Sequence, residues 1–291
     1  MQKLPYQNPG GLFIEKFGVP RDIDDVIRYA DFLRQEAGVS SQPPIDLMKI
    51  FDRFGIKSHQ APLVEQQGTS DGFLGFMLIK EDDPVARQRF SEAHELIEFL
   101  FHQYKNLPKW RQSYYATHNT TKEKLCQKGA AALLMPQESF VPAMLELGLS
   151  FESASELASI YETSLLATLY RMIAECGDER LLVIWRLALK PTQEVNQNQP
   201  SLFGNDVSLL PEKKLRIWWP VTSARASNGY IPSHQSIHDD SIIVKAYETG
   251  QLQKGSERFQ LKGISGRYNI EAKKVNIGDE VCVLSFLHRQ P

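Results

Sequence analysis

The chain is 291 residues of ordinary globular composition, and 33 Lys and Arg against 35 Asp and Glu leave no net basic field for gripping nucleic acid. Three cysteines, Cys126, Cys176 and Cys282, form no close pair and indicate neither a disulfide framework nor a thiolate zinc site. The opening MQKLPYQNPGG lacks the basic-then-apolar order of a signal peptide, and no apolar run nears the roughly 18 to 20 residues that cross a bilayer, so a soluble cytoplasmic protein without membrane contact is expected.

The Gly- and Pro-rich first 20 residues read as an arm. From Asp22 to about Ala37, Val26, Ile27, Tyr29, Ala30 and Leu33 recur at helical spacing. Pro43, Pro44 and Ile45 open a second helix, Asp46 to Phe54, closed by Gly55. Ile56 to Leu63 and Phe73 to Lys80 are strand candidates, and the turn-forming residues Gln67 to Gly72 between them predict a long hairpin. Arg87 to about Tyr104 carries the strongest helical pattern, with Phe90, Ala93, Ile97, Leu100, Phe101 and Tyr104 on one broad face. A second apolar helix spans about Thr121 to Leu134 and stops at Met135-Pro136. Residues 137–175 read as several short helices, and Leu181 to Leu189 as a buried strand.

Thr192 to Pro200 is polar, with Val195 its only large apolar residue, and reads as a linker. Beyond it, Leu215 to Trp219, Ile242 to Tyr247, Phe259 to Ile264 and Val281 to Phe286 alternate with turn signals, the pattern of a small β-rich domain. Trp218-Trp219 is expected in its core.

Residues 93–102 read AHELIEFLFH. His94 and Glu98 are four apart, about 40° around a helix, beside the apolar stripe. This is the logic of His-Glu-x-x-His, in which two ligands one turn apart hold a metal and the intervening Glu activates its water, with Glu98 in the second ligand position. A catalytic site needs a third protein ligand, for which Glu123 is the candidate; Thr120-x-x-Glu123 also fits a capping box. His102, two turns beyond His94, reads as a helix-end residue, and His234 and His238 as a surface loop.

RQRFSEAHELIEFLFH followed by EKLCQKGAAALLMP resembles the ImmA/IrrE family of metallo-endopeptidases. There an Arg-Phe-x-x-Ala-His-Glu-Leu-x-His helix precedes a Glu whose helix ends in Ala-Ala-x-Leu-Leu-Met-Pro. The resemblance is specific over residues 87–136 and weaker from about 40 to 175. It implies a zincin-like helical metallopeptidase domain with a small antiparallel sheet; with the β-rich C-terminal domain read from the strand pattern, for which no family signal is seen, the chain is expected to be α+β. The boundaries that follow are 1–191 for the peptidase domain, 192–205 for the linker and 206–291 for the C-terminal domain.

The resemblance further implies His94, Glu98 and Glu123 as metal ligands and Glu95 as general base. Tyr114, Tyr115 and His118, in the intervening loop, are candidate oxyanion stabilisers. Family members usually carry His where this chain has Glu98, and often Phe where it has Gly129. A His-Glu-Glu set binds zinc and moves the preference towards manganese. The implied substrate is a protein regulator, such as a helix-turn-helix repressor, in a stress or mobile-element response. The alternative is a catalytically silent relative that binds a regulatory partner in the same groove. Ser155 to Ile173 has a helix-turn-helix outline, but Arg171 stands against Glu156, Glu162 and Glu175, so a helical hairpin without direct nucleic-acid binding is expected.

Overall fold

The computed structural model describes residues 5–103, 119–193, 212–226 and 229–290. The chain is α+β and divides into two compact units, residues 1–148 with 153–168, and residues 149–152 with 169–291.

The first unit opens with a helix where the sequence suggests an arm, α1 (Pro9–Phe17). Asn8 caps it by accepting from the Gly11 N–H, and Pro9 supplies a first turn that needs no donor. Gly10 allows it to lie on the backbone of the helix that carries the His-Glu pair: a Cβ there would stand 2.5 Å from the Phe99 carbonyl oxygen and 2.7 Å from Leu100 Cα. The glycine that suggests flexibility is therefore a packing requirement. Next come α2 (Ile23–Glu36), capped by Asp22, and α3 (Leu47–Phe54), capped by Asp46 and ended by left-handed Gly55.

Three strands follow, β1 (Lys57–Ala61), β2 (Gly68–Asp71) and β3 (Phe76–Lys80), in the order β1-β3-β2. The hairpin joins β2 to β3, while β1 lies parallel to β3, so the sheet is mixed rather than antiparallel. Residues expected to turn between two strands thus include a strand of their own. Their small side chains answer to tertiary packing: a Cβ at Gly68 would meet Glu95 Oε1 at 3.0 Å, and one at Gly72 would meet His102 Nδ1 at 2.6 Å.

Helix α4 (Val85–His102) runs through the core. Leu96 and Phe99 are as buried as the expected Ala93, Ile97 and Leu100, because neighbours cover more than one face. Tyr29 of α2 donates to the Leu96 carbonyl, and Arg89 donates to the Ile45 carbonyl, fixing the helix at two levels. The chain then enters α5 (Asn119–Leu134), α6 (Gln137–Leu147), α7 (Phe151–Tyr161) and α8 (Leu165–Glu175). At Gly129, where relatives often carry Phe, a Cβ would lie 2.9 Å from both Ile97 and Val26, so α5 packs there without room for a side chain.

The second unit is built on a five-stranded antiparallel sheet, β5-β4-β8-β7-β6, from β4 (Arg180–Ala188), β5 (Lys214–Thr222), β6 (Gln253–Leu261), β7 (Ile264–Ile277) and β8 (Glu280–Arg289). The boundary at 191 puts β4 with the N-terminal domain; in the structure it lies between β5 and β8. An apolar run such as LLVIWRLAL says that it is buried, not which sheet buries it. Most of the expected linker, from 194 to 205, lies outside the described residues.

Ile242 to Tyr247, read as a strand, is the helix α9 (Ile242–Thr249). Ser241 caps it, Gly250 ends it in the left-handed region, and Glu257 of β6 accepts from the Ile242 N–H. Ile243 and Ala246, three apart, are its buried face. The tryptophan pair is not core: a bulge between Ile184 and Trp185 leaves Trp218 without a partner residue, under the Arg186 guanidinium, and Trp219 is 56% exposed. Trp185 fills the core instead, its indole N–H donating to Ser285 Oγ at 2.7 Å. No helix among the described residues is long and apolar enough to cross a membrane.

Candidate metal centre

Helix α4 presents His94, Glu95 and Glu98 along one arc, towards β2 and the first turns of α5. One ligand atom from each of these three residues lies within 4.8 Å of the other two. That span matches a donor set for one small cation, and the mix of one imidazole and two carboxylates suits a borderline or hard divalent ion. Glu123, on α5, brings Oε1 to 3.5 Å from His94 Nε2 but does not join the tighter group. The structure therefore assembles His94 with both helix carboxylates and sets Glu123 against the imidazole.

Glu95 is 4% exposed. Burial pushes its carboxyl up to about 7; the Ser70 hydroxyl opposes this, the Glu98 and Glu123 charges add to it, and Lys122 opposes it. Its Oε2 is buried and has no hydrogen-bond partner among the described residues. The Ser70 hydroxyl, although it acts on Glu95 electrostatically, completes no bond of normal geometry. An orphaned buried carboxylate oxygen is costly unless something else engages it. Its place beside His94 and Glu98 is what a site for a cation and its water requires, so the residues present fit the metal implied by the motif.

Burial lowers the pKa of His94, against the pull of Glu123 and Glu98 and with the help of Lys122. The imidazole is thereby kept neutral, the form that ligates. The Glu98 carboxyl is lowered as well, to about 2: His102 is the largest cause, burial opposes it, and Lys122 adds to it.

Two neighbours of Glu98 are not assigned by the motif. His102 Nε2 lies 3.6 Å from Glu98 Oε1, and its Nδ1 accepts from the Gly72 N–H at 3.0 Å. With Nδ1 accepting, Nε2 carries the proton and faces the carboxylate, so His102 links the β2–β3 turn to Glu98. The spacing of four between Glu98 and His102 was the available signal. Lys122 Nζ makes an ion pair with Glu98 Oε1. Its signal was weaker, a cation beside the candidate ligand Glu123.

Tyr114, Tyr115, His118 and the Thr120 side chain lie outside the described residues. His238 pairs with Glu257 at 3.1 Å, and neither it nor His234 joins a metal-type cluster among the described residues.

A family model described as the IrrE N-terminal-like domain, a peptidase family, matches residues 51–172. No curated protein matches the chain. Among solved structures, the chain is similar to a Mycobacterium tuberculosis transcriptional regulator, at 12% identity and a TM-score of 0.55, over 97% of this chain and 79% of that one. At that identity the likeness carries the fold alone.

Proposed function

Residues 51–172 belong to the IrrE N-terminal-like peptidase family, and on that premise we propose that this protein is a metal-dependent endopeptidase acting on a protein regulator in the cytoplasm. The observation that carries the reading is the buried, unpartnered Glu95 Oε2 beside the His94–Glu98 pair. His94, Glu98 and Glu123 would hold the ion, with zinc as first choice and manganese as second. When bound, such an ion polarises a scissile carbonyl and acidifies water.

The protein's own part is to position and to move a proton. Glu95 takes a proton at its free oxygen and returns it to the leaving amine, a role suited to a carboxyl that burial holds near neutral pH. His102 holds Glu98 in place through the β2–β3 turn. β2 is an edge strand whose Gly68 lies against Glu95, so an extended peptide would add to the sheet beside the site. The choice of a regulatory substrate, a helix-turn-helix repressor first, rests on the resemblance of residues 87–136 to the ImmA/IrrE family.

The test is cleavage of candidate repressors by the metal-loaded protein and by Glu95→Gln. Cleavage that a chelator stops, and that falls at least about a hundredfold in the variant, is the expected result, since general-base catalysis contributes roughly 10²- to 10⁴-fold. Cleavage that survives Glu95→Gln would rule the assignment out. The Lys122–Glu98 ion pair favours a second reading, a binding protein without catalysis. It predicts partner capture that is indifferent to both chelator and Glu95→Gln.

A further inference from the structure

Glu98 stands where the second metal ligand is expected, and it already has a cation. Lys122 Nζ is paired with Glu98 Oε1, the same oxygen that His102 Nε2 faces. The Lys122 side chain is 24% exposed and that of Glu98 20%, so the pair is shielded from water and salt more than an ordinary surface bridge. One residue further along α5, Glu123 reaches His94. Adjacent residues of one helix thus meet two successive turns of α4, one with a carboxylate and one with an ammonium group.

We propose that Lys122 is a built-in counter-cation that holds Glu98 in the metal-free protein and must leave it for a divalent ion to bind. The inference rests on the metal-dependent reading above. A lysine ammonium and a divalent ion cannot share one carboxylate oxygen without strong repulsion, because both need its close approach. The lysine stem is long and flexible, so the ammonium can withdraw to solvent while its helix stays packed. Metal affinity is then set by a competition within the site. The exchange suits a carboxylate ligand in particular, because an ammonium pairs with Glu98 as it could not with a neutral imidazole at that position.

The experiment is a titration of the full chain, stripped of metal, with Zn²⁺ or Mn²⁺ alone against a competing chromogenic chelator. Lys122→Gln should tighten binding by roughly 10- to 100-fold, the range found when groups around metal ligands are changed. Lys122→Arg, which keeps the cation, should track the wild type. Lys124→Gln, an exposed charge removed from the same helix, should leave affinity within about threefold, since an exposed charge is screened. Binding by Lys122→Gln where the wild type binds nothing would also support the proposal.

Equal affinity in wild type and Lys122→Gln would overturn it while leaving the metal site standing. Absence of binding in every variant would overturn both. A second measurement on the wild type covers a variant that fails to fold: acetylation of lysines read by mass spectrometry, with and without metal. Lys122 should be modified faster in the loaded protein, and unchanged or slower modification on loading would sink the idea.

Discussion

Asp25 shows how a single side chain carries both structure and pH dependence. It lies in the first turn of α2, its N–H bonded to the capping Asp22 and its Oδ2 accepting from the Arg21 backbone at 3.0 Å and from Arg21 Nε at 3.2 Å. Burial raises its pKa, but the Arg21 bonds and the Arg21 and Arg28 charges outweigh that and hold it below the ordinary value of 3.8. A carboxyl with a lowered folded pKa contributes stability above its unfolded value and loses it as pH falls through the folded one. Denaturant unfolding of Asp25→Asn across pH should therefore show the variant weaker at neutral pH, with the gap closing below about pH 3.8. A gap constant through the acid range would mean that the ionised form does not matter. At the same scale, the site was only partly legible. His94, Glu95 and Glu98 follow from helical spacing, because neighbours on one arc are fixed by 3.6 residues per turn. His102 stands one turn beyond Glu98, a spacing the sequence shows, but its bond to Gly72 and the pairing of Lys122 depend on what other elements bring to α4, which no local spacing encodes.

Elements with strong caps and periodicity were readable; elements defined by what they touch were not. Asp22 and Asp46 cap helices that the spacing of apolar residues already announces. Helices α1 and α9 were misread in opposite ways. Pro9-Gly10-Gly11 signals a loop until a neighbouring backbone is there to explain the glycine, and a six-residue apolar run such as IIVKAY fits either period. The account of α1 predicts that Gly10→Ala destabilises the N-terminal unit by about 1 to 3 kcal/mol, the usual cost of overpacking, although alanine favours helix in isolation. Circular dichroism during urea unfolding would read this, and a variant as stable as the wild type would show that α1 does not sit on α4. The three-stranded sheet makes the same point. The polar, glycine-rich β2 looks like a turn because its small residues serve its closeness to Glu95 and His102 rather than any strand propensity.

At the scale of the whole molecule, fold class was legible because it depends on the order of elements: helices with a few short strands, then a run of strands. Membership was not. Strand β4 precedes the polar stretch in sequence, yet it is central to the five-stranded sheet, joining β5 to β8. A fragment of residues 206–291 would leave β5 cut off from the remaining strands and the face of β8 that pairs with β4 bare. It should show no cooperative thermal transition by circular dichroism, whereas a fragment that melts cooperatively would mean that β4 is dispensable.

What the sequence determined by itself was whatever is written in neighbouring residues: the length and faces of the long helices, their caps, the chemistry of the His-Glu-x-x-Glu stripe and the family of residues 51–172. Tertiary structure alone decided which strand lies beside which, why glycines stand at positions 10, 68, 72 and 129, and that Glu98 meets an ammonium group as well as an imidazole. The division follows from range. Helical period and capping act over three or four residues, so they can be read locally. The strands that flank β4 and the ammonium partner of Glu98 come from segments tens of residues away, and meet only once the chain has closed on itself.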